Sequence, residues 1–391
     1  MEVALFIILI CMCSILFVID YIWNYRLPLY YTLSQLSNVK FFLTSWRSAK
    51  NLAGLNCRVL RSKAELVSAL LMEDWDVIIW GEAGSRNFAL NLMDGILCLL
   101  VSKIKRRPFI VWFGGWEFTQ RDHWEGGIIN ALKRMAALFI IPWLLKRADA
   151  IVTYGNFHKD FYTTVFGINP HKIFIAPNSS IIPDDEVNSE EQVRYIRKRL
   201  GLEGKKVVLY VGRLEKRKNV DVLIKAFAQL KRDDVSLLII GDGRLRPYLE
   251  GLCKELNLRN VYFLGRIKRD ELPPYYRLCD VFVYPTAREP WGLAINEAMQ
   301  FGKPVIATPR VAAAHDLIKQ GVNGFIVPEN DVQALAKAIN RIISNEELAK
   351  RMGQRSREII QSGYTYEHMV KGFKNAIVYC CKKYNLIRSK I

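Results

Sequence analysis

The sequence predicts an α/β fold in which two doubly wound parallel sheets face a cleft. Short apolar segments typical of buried strands alternate with helical patterns in both halves of the 391-residue chain, and this alternation is typical of parallel sheets. A chain of this length has room for two or three domains. In the first half, the predicted strands cover residues 39–43, 76–80, 109–113, 150–154 and 172–176.

The second half repeats the alternation more regularly. Its predicted strands cover residues 207–211, 236–240, 261–264, 281–284, 304–307 and 324–327. A polar, charged section over residues 182–204 separates the two halves and indicates a domain junction. Ligands of such folds bind outside the carboxyl ends of the strands, so the residues that follow each strand are the first candidates for a site.

The first residues of the chain form an apolar run. Residues 3–19 are apolar except for Ser14, a length near the lower limit for a spanning helix. A cleaved signal peptide is the competing interpretation, but the basic start and the small residues before a cleavage site are missing. We therefore expect residues 1–23 to form a single-pass membrane anchor. Since Lys and Arg follow this run and none precedes it, the catalytic domains are expected on the cytoplasmic side.

The net charge of +18, with a pI near 9.5, implies an acidic partner. Nucleic acid, anionic lipid and a phosphorylated substrate all fit that charge. Nucleic acid is excluded as the expected partner, since no zinc finger, helix-turn-helix or aromatic RNA platform is recognisable. The eight cysteines show no Cys-x-x-Cys spacing, which favours reduced thiols over a disulfide scaffold or a zinc site. No metal cluster is expected.

A second apolar stretch, residues 128–145, has Lys133 and Arg134 inside it, and further basic residues lie at 103–107 and 146–147. Basic and apolar faces together suit an anionic membrane surface. A core helix with a solvated edge explains the same pattern, and both interpretations stay open at this point.

Two glutamates carry the most specific signal in the chain. Glu289 and Glu297 flank the start of a predicted helix over residues 293–301, with chain-breaking Pro290 and Gly292 just before it. Eight helical residues span about 12 Å, close to the reach from a sugar ring across a diphosphate to a ribose. The free N–H groups and positive dipole end of a helix N-terminus suit a diphosphate.

This glutamate pair, followed by Ala298-Met299 and residues 301–308, resembles the signature of family 4 glycosyltransferases, which are retaining enzymes of the GT-B fold. The resemblance continues through residues 212–219, 241–243, 263–266 and 323–327. It implies two Rossmann-like domains behind the anchor at 1–23. We expect an acceptor-binding domain at 24–198, a donor-binding domain at 199–365, and a C-terminal helix at 366–391 that crosses back to the first domain.

The resemblance also implies roles for individual residues. Arg213 and Lys218 match the cations that meet the diphosphate, and Glu289 matches the acid near the donor sugar; these three are the expected catalytic residues. Glu297 matches the residue that binds ribose hydroxyls. The remaining expected donor-binding residues are Gly212, Arg266 near the nucleobase, Trp291, Gly292 and Leu293. Lys216 and Arg217 are expected to be solvated.

The acceptor side departs from the family pattern. The histidine that the family often carries after the fifth strand is absent, and the chain has Phe113-Gly114-Gly115-Trp116-Glu117 in its place. We expect Gly115 and Glu117 to contribute there. His123 and His158 are further candidates, although a lone histidine is more often structural.

The resemblance implies transfer of a sugar from a nucleotide diphosphate sugar with retention. The expected anchor favours a lipid-linked or membrane-proximal glycan as the acceptor, and no metal or other cofactor is expected. Two alternatives stay open. One is a degenerate, non-catalytic scaffold that binds glycolipid, which the altered acceptor motif favours. The other is a nucleotide-sugar-dependent synthase with a soluble acceptor.

Overall fold

A computed structural model describes residues 13–20, 22, 26–44, 54–81, 88–116, 127–183 and 186–386. The chain forms two compact units. Unit 1 comprises Met1–Asn178 and Tyr366–Ile391, and unit 2 is the single segment Ser179–Thr365 between them. Both units have the predicted α/β architecture with a parallel sheet.

Unit 1 is built on a seven-stranded sheet of order β3-β2-β1-β4-β5-β6-β7, whose neighbouring strands are parallel. The strands are β1 Ser14–Ile19, β2 Asn38–Leu43, β3 Cys57–Val59, β4 Val77–Gly81, β5 Phe109–Trp112, β6 Ala150–Thr153 and β7 Ile173–Ile175. The helices are α1 Leu27–Leu36, α2 Lys63–Met72, α3 Phe88–Ile104, α4 Gly127–Arg147, α5 Asn156–Phe166 and, at the end of the chain, α14 Tyr366–Lys383.

The predicted membrane anchor is wrong over its second half. Ser14–Ile19 is the strand β1, which pairs with β2 on one side and β4 on the other. A central parallel strand is covered on both faces, so its sequence is continuously apolar, and that property also suggested a spanning helix. No helix in the described parts of the chain is long and apolar enough to cross a bilayer. Residues 1–12, 21 and 23, also assigned to the anchor, lie outside the described residues.

Helix α14 completes the core of unit 1. Its residues Phe373 and Ile377 are buried in one cluster with Phe17 of β1 and Trp112 of β5. The Phe373 ring lies 4.9 Å from the Trp112 ring in an edge-to-face arrangement, a geometry that aromatic pairs favour. Gly372 lets the helix approach β7 closely, because a Cβ there would lie 2.2 Å from the Ile175 carbonyl oxygen.

Replacing Gly372 with alanine should therefore destabilise unit 1. The added methyl group meets backbone, which cannot rotate away, so we expect a loss of about 1–3 kcal/mol in the free energy of unfolding. Gly251 in unit 2 is a matched control, since it is also helical and a Cβ there meets nothing within 4 Å. Thermal unfolding of both variants tests this: Gly251→Ala should be neutral or stabilising. Equal melting temperatures for the two variants would contradict the close approach.

Unit 2 is built on a six-stranded parallel sheet of order β10-β9-β8-β11-β12-β13. All six predicted strands are present: β8 Lys206–Val211, β9 Val235–Ile240, β10 Val261–Gly265, β11 Val281–Tyr284, β12 Val305–Ala307 and β13 Gly324–Ile326. The helices are α6 Glu186–Leu200, α7 Val220–Ala228, α8 Arg246–Glu255, α9 Pro273–Leu278, α10 Leu293–Gln300, α11 Ala312–Leu317, α12 Val332–Ile343 and α13 Glu346–Gly363.

The boundary between the units differs from the predicted one. Residues 179–198, predicted as the end of the first domain, belong to unit 2. Arg197 explains this placement, since its guanidinium donates to the carbonyl oxygens of Leu202 and Leu278 at 3.0 and 3.3 Å. Ile182 is bound in the same unit, because its N–H donates to Gln300 Oε1 of α10 at 3.0 Å. The polar, charged composition of residues 182–204 indicated a junction, but it did not show whether this segment belongs to unit 1 or to unit 2.

Candidate active site

The candidate site lies at the carboxyl ends of β8 and β11, where the strand order of unit 2 reverses direction. β8 is paired with β9 on one side and with β11 on the other. Gly212 directly follows β8, and Tyr284 is the last residue of β11. In doubly wound sheets, such a switch point opens a crevice for ligands. The sheet topology thus places the loops after β8 and β11 beside one another.

Glu289 is the centre of a partly buried ionic cluster at this edge. Its Oε2 accepts a hydrogen bond from Arg217 at 2.9 Å and forms an ion pair with Lys218. The Lys218 ammonium also donates to the Tyr284 hydroxyl at 2.7 Å. Only 5% of the Lys218 side chain is exposed, so its charge is held in a place where water screens it little.

The charges of this cluster stabilise one another. Burial alone would raise the pKa of the Glu289 carboxyl, but the positive charges of Lys218 and Arg217 outweigh burial and hold that pKa below its usual value. The same carboxylate raises the pKa of the Arg217 guanidinium despite burial. Burial raises the pKa of the Tyr284 hydroxyl well above its usual value. For Lys218, burial outweighs the attraction of Glu289 and lowers the pKa of the ammonium. The shifts of the other three groups keep the Glu289 carboxylate and the Arg217 guanidinium charged and the Tyr284 phenol neutral at neutral pH.

The backbone around Glu289 fixes the approach to helix α10. The Glu289 N–H donates to the Arg310 carbonyl oxygen at 3.0 Å, and Glu289 pairs with Val311 as a short parallel bridge. Gly292 then precedes the helix with φ of 105°, a left-handed conformation that favours glycine. A Cβ at Gly292 would also lie 2.8 Å from the Val311 side chain. The predicted break at Gly292 therefore has a steric cause.

Glu297 lies inside α10 and is held by three donors. Its Oε1 accepts hydrogen bonds from the Ser180 hydroxyl at 2.7 Å and from Arg269 Nε at 3.1 Å. Its Oε2 accepts one from the Tyr276 hydroxyl at 2.9 Å. Because a carboxylate has about four acceptor positions, these three bonds orient Glu297 and leave it acceptor capacity.

Other predicted donor-side residues have different surroundings. Arg213 projects from the end of β8 with 71% of its side chain exposed, and its guanidinium lies 3.4 Å from Glu215. Arg266 is exposed just after the end of β10. Leu293 is the first residue of α10, where backbone N–H groups are left without partners inside the helix. Trp291 is buried, and its indole N–H donates to the Asn296 side chain at 2.9 Å. This hydrogen bond fixes the segment before α10 to the helix itself.

The expectation that Arg217 is solvated is wrong. It lies between Lys216 and Lys218 in a short 3₁₀ turn, and a run of three basic residues does not show which of them faces the glutamate. Arg269, Ser180 and Tyr276 were also missed as partners of Glu297. The position of Tyr284 at the end of a strand at the switch point was a signal that could have singled it out.

The acceptor-side predictions divide into two groups. His158 is fully buried on α5, with its ring 5.7 Å from that of Tyr154 and 5.6 Å from that of Phe157. It therefore packs within the aromatic core of unit 1. The Gly115 carbonyl oxygen accepts a hydrogen bond from the Tyr162 hydroxyl at 2.9 Å. Glu117 and His123 lie outside the described residues.

The fold and this site together define a class of protein. Residues 192–359 match the family described as "Glycosyl transferases group 1", a segment that covers most of unit 2. The whole fold is similar to the crystal structure of the Anabaena protein HepE in complex with UDP, with a TM-score of 0.74 and 19% identity over 93% of this chain and 99% of that chain. The fold is thus GT-B-like, and most of unit 2 matches the model of a glycosyltransferase family.

Two curated proteins are similar in sequence over part of their length. An uncharacterised glycosyltransferase of Methanocaldococcus jannaschii is 30% identical over 227 residues, which are 56% of this chain and 57% of that protein. The α-D-kanosaminyltransferase of Streptomyces kanamyceticus is 32% identical over 183 residues, 46% of this chain and 47% of that protein. The chain spans about half the length of these curated relatives.

Proposed function

We propose that this protein transfers a sugar from a nucleotide diphosphate sugar to a glycan or lipid-linked acceptor, with retention of anomeric configuration. The observation that carries the proposal is the ionic cluster of Glu289, Lys218 and Arg217 at the switch point of unit 2. It places two cations and one carboxylate at the edge where such sheets bind ligands. The UDP held by HepE, a protein of similar fold, supports the class of donor.

Helix α10 suggests how the donor is oriented in the site. Its N-terminus follows Gly292, and Glu297 lies four residues after the first helical residue, Leu293. A diphosphate at the helix N-terminus would be met by backbone N–H groups. The ribose diol would then reach Glu297, whose oriented carboxylate accepts hydrogen bonds from vicinal hydroxyls. The donor sugar would lie toward Glu289.

The cations supply the chemical step. When the glycosidic bond breaks, negative charge grows on the diphosphate, and preorganised donors aimed at that charge stabilise the transition state. Lys218 and Arg213 lie on the loop that follows β8 and are proposed to meet the diphosphate, with Arg217 beside them. In this scheme the Lys218 ammonium donates hydrogen bonds to the phosphate oxygens instead of to Glu289. The Glu289 carboxylate then accepts hydrogen bonds from the sugar hydroxyls. The protein cations provide the positive charge, so we propose no resident metal or other cofactor.

Purified full-length protein should convert a nucleotide diphosphate sugar to the free nucleotide diphosphate, and do so faster when membrane extracts supply an acceptor. A screen of UDP- and GDP-sugars identifies the donor, and NMR of the product shows whether the anomeric configuration is retained. Glu289→Gln serves as the inactive control. Nucleotide binding without any turnover would favour the non-catalytic scaffold, and transfer to soluble acceptors alone would favour the synthase.

A further inference from the structure

Two neighbouring helices of unit 1 carry exposed apolar stripes. On α3, Met93, Leu100 and Ile104 are exposed, at spacings of seven and four residues that place them on one face. On α4, the exposed residues are Leu132, Met135, Phe139 and Trp143, again on one face. Large apolar side chains scattered singly on a surface need no explanation, but a contiguous patch indicates an interaction site.

The two helices that carry these stripes lie side by side. Helix α3 packs against α4, and both helices end just before the strands β5 and β6, which are parallel neighbours. Asp149 joins these ends, because its carboxylate accepts a hydrogen bond from the Phe109 N–H at 3.1 Å and pairs with Lys103 at 3.3 Å. On the same two helices, Ile96 and Leu138 are partly buried and pack against the core of unit 1. We call the seven exposed apolar residues of the two helices the α3–α4 face.

The exposed charged residues at the carboxyl ends of α3 and α4 are basic, and Asp149, which pairs with Lys103, is buried. Lys103, Arg106, Lys146 and Arg147 are exposed at the carboxyl ends of the two helices. Helix α4 contains no acidic residue, and Asp94, the one acid of α3, is buried and paired with Lys63. The Arg147 guanidinium lies 4.9 Å from the centre of the Trp143 ring. Aromatic and basic side chains of this kind suit the boundary between lipid headgroups and acyl chains.

We propose that the α3–α4 face docks on an anionic membrane surface. Its apolar stripes enter the acyl boundary while the basic residues at the helix ends meet lipid phosphates, and each such residue adds attraction that salt weakens. A protein partner is less well matched, because lysine is depleted in protein interfaces and the exposed charged residues described on the two helices are all basic. The inference deepens the membrane side of the proposed function and is independent of the donor site.

Co-sedimentation of the full chain with vesicles tests the face. Wild-type protein should bind vesicles of phosphatidylcholine and phosphatidylglycerol at low salt, and bind less at high salt or to phosphatidylcholine alone. The double variant Ile104→Ser, Phe139→Ser should lower the partition coefficient about tenfold or more. The matched control is Met72→Ser with Val165→Ser, which alters exposed apolar residues elsewhere in unit 1 and should bind like wild type.

A second pair of variants isolates charge. Arg106→Gln with Lys146→Gln should reduce binding to anionic vesicles and its salt dependence, whereas Lys254→Gln with Lys337→Gln, an equal charge change on exposed residues of unit 2, should not. The proposal is overturned if wild type fails to bind anionic vesicles at low salt, or if the double serine variant binds as well as its control. It is also overturned if sedimentation velocity shows that the serine variant only abolishes self-association. Calorimetry with UDP reports on the donor site separately.

Discussion

Replacing Lys218 with alanine should lower the turnover of sugar transfer by about 100-fold or more, comparable to the loss of one preorganised donor. Its ammonium is buried against Glu289 and Tyr284 in the loop after β8. A water molecule that filled the space left by the side chain would carry no positive charge. Arg213→Ala should lower turnover as well, since its guanidinium projects from the same strand end. The measurement is the initial rate at saturating donor.

Lys216→Ala is the matched control, since Lys216 lies in the same 3₁₀ turn and is exposed. It should retain nearly all activity. Loss of Lys218 leaves Glu289 with Arg217 as its cation, and removing one partner of a buried ion pair destabilises a protein, so thermal unfolding must show that each variant is folded at the assay temperature. Near-normal transfer by a folded Lys218→Ala variant would falsify the assigned role of the ammonium.

Substitution of the two glutamates should have different effects on UDP binding and on sugar transfer. Glu297→Gln should raise the Kd for UDP about tenfold or more, because the ribose hydroxyls lose a charged acceptor whose hydrogen bonds are stronger than those of an amide. Glu289→Gln should leave UDP affinity nearly unchanged and lower transfer strongly, because UDP lacks the sugar that Glu289 is proposed to meet. Calorimetry with UDP beside a transfer assay measures both effects.

Glu255→Gln is the control for this pair, since Glu255 is an exposed glutamate at the end of α8 in the same unit. It should change neither quantity. If Glu289→Gln abolished UDP binding and Glu297→Gln left it intact, the two roles would have to be exchanged. If neither changed UDP affinity or transfer, the site would have to be placed elsewhere.

The strands of unit 2 were predictable because their signal is local. Each is a short, mostly apolar segment with glycine, proline or polar residues beside it, and the helices between them have their own period. The same local signal misled at Ser14–Ile19. A buried strand flanked by other apolar residues has the hydropathy of a spanning helix, and only its pairing with β2 and β4 distinguishes the two.

The sequence pattern singled out the two acidic residues of the candidate site, but only some of its basic residues. Glu289 and Glu297 lie on either side of the start of one helix, which a local pattern can indicate, whereas the partners of Glu297 come from residues 180, 269 and 276, which are distant in sequence. No local pattern shows that Arg269 donates to this carboxylate. Arg217 was missed for a different reason, since the direction of a side chain in a 3₁₀ turn depends on the whole fold around it.

The path of the chain through the two units has a consequence for the order in which they fold during synthesis. Unit 2 is one continuous segment, and its ends meet where the Ser179 hydroxyl donates to the Tyr364 carbonyl oxygen at 2.9 Å. The core of unit 1 instead includes Met369, Phe373 and Ile377 of the last helix. On the ribosome, unit 2 can therefore complete its core while the β1–β7 sheet, although synthesised first, still waits for α14 with apolar surface uncovered. Domains usually fold in the order of their synthesis, and here the second unit is the first that can finish.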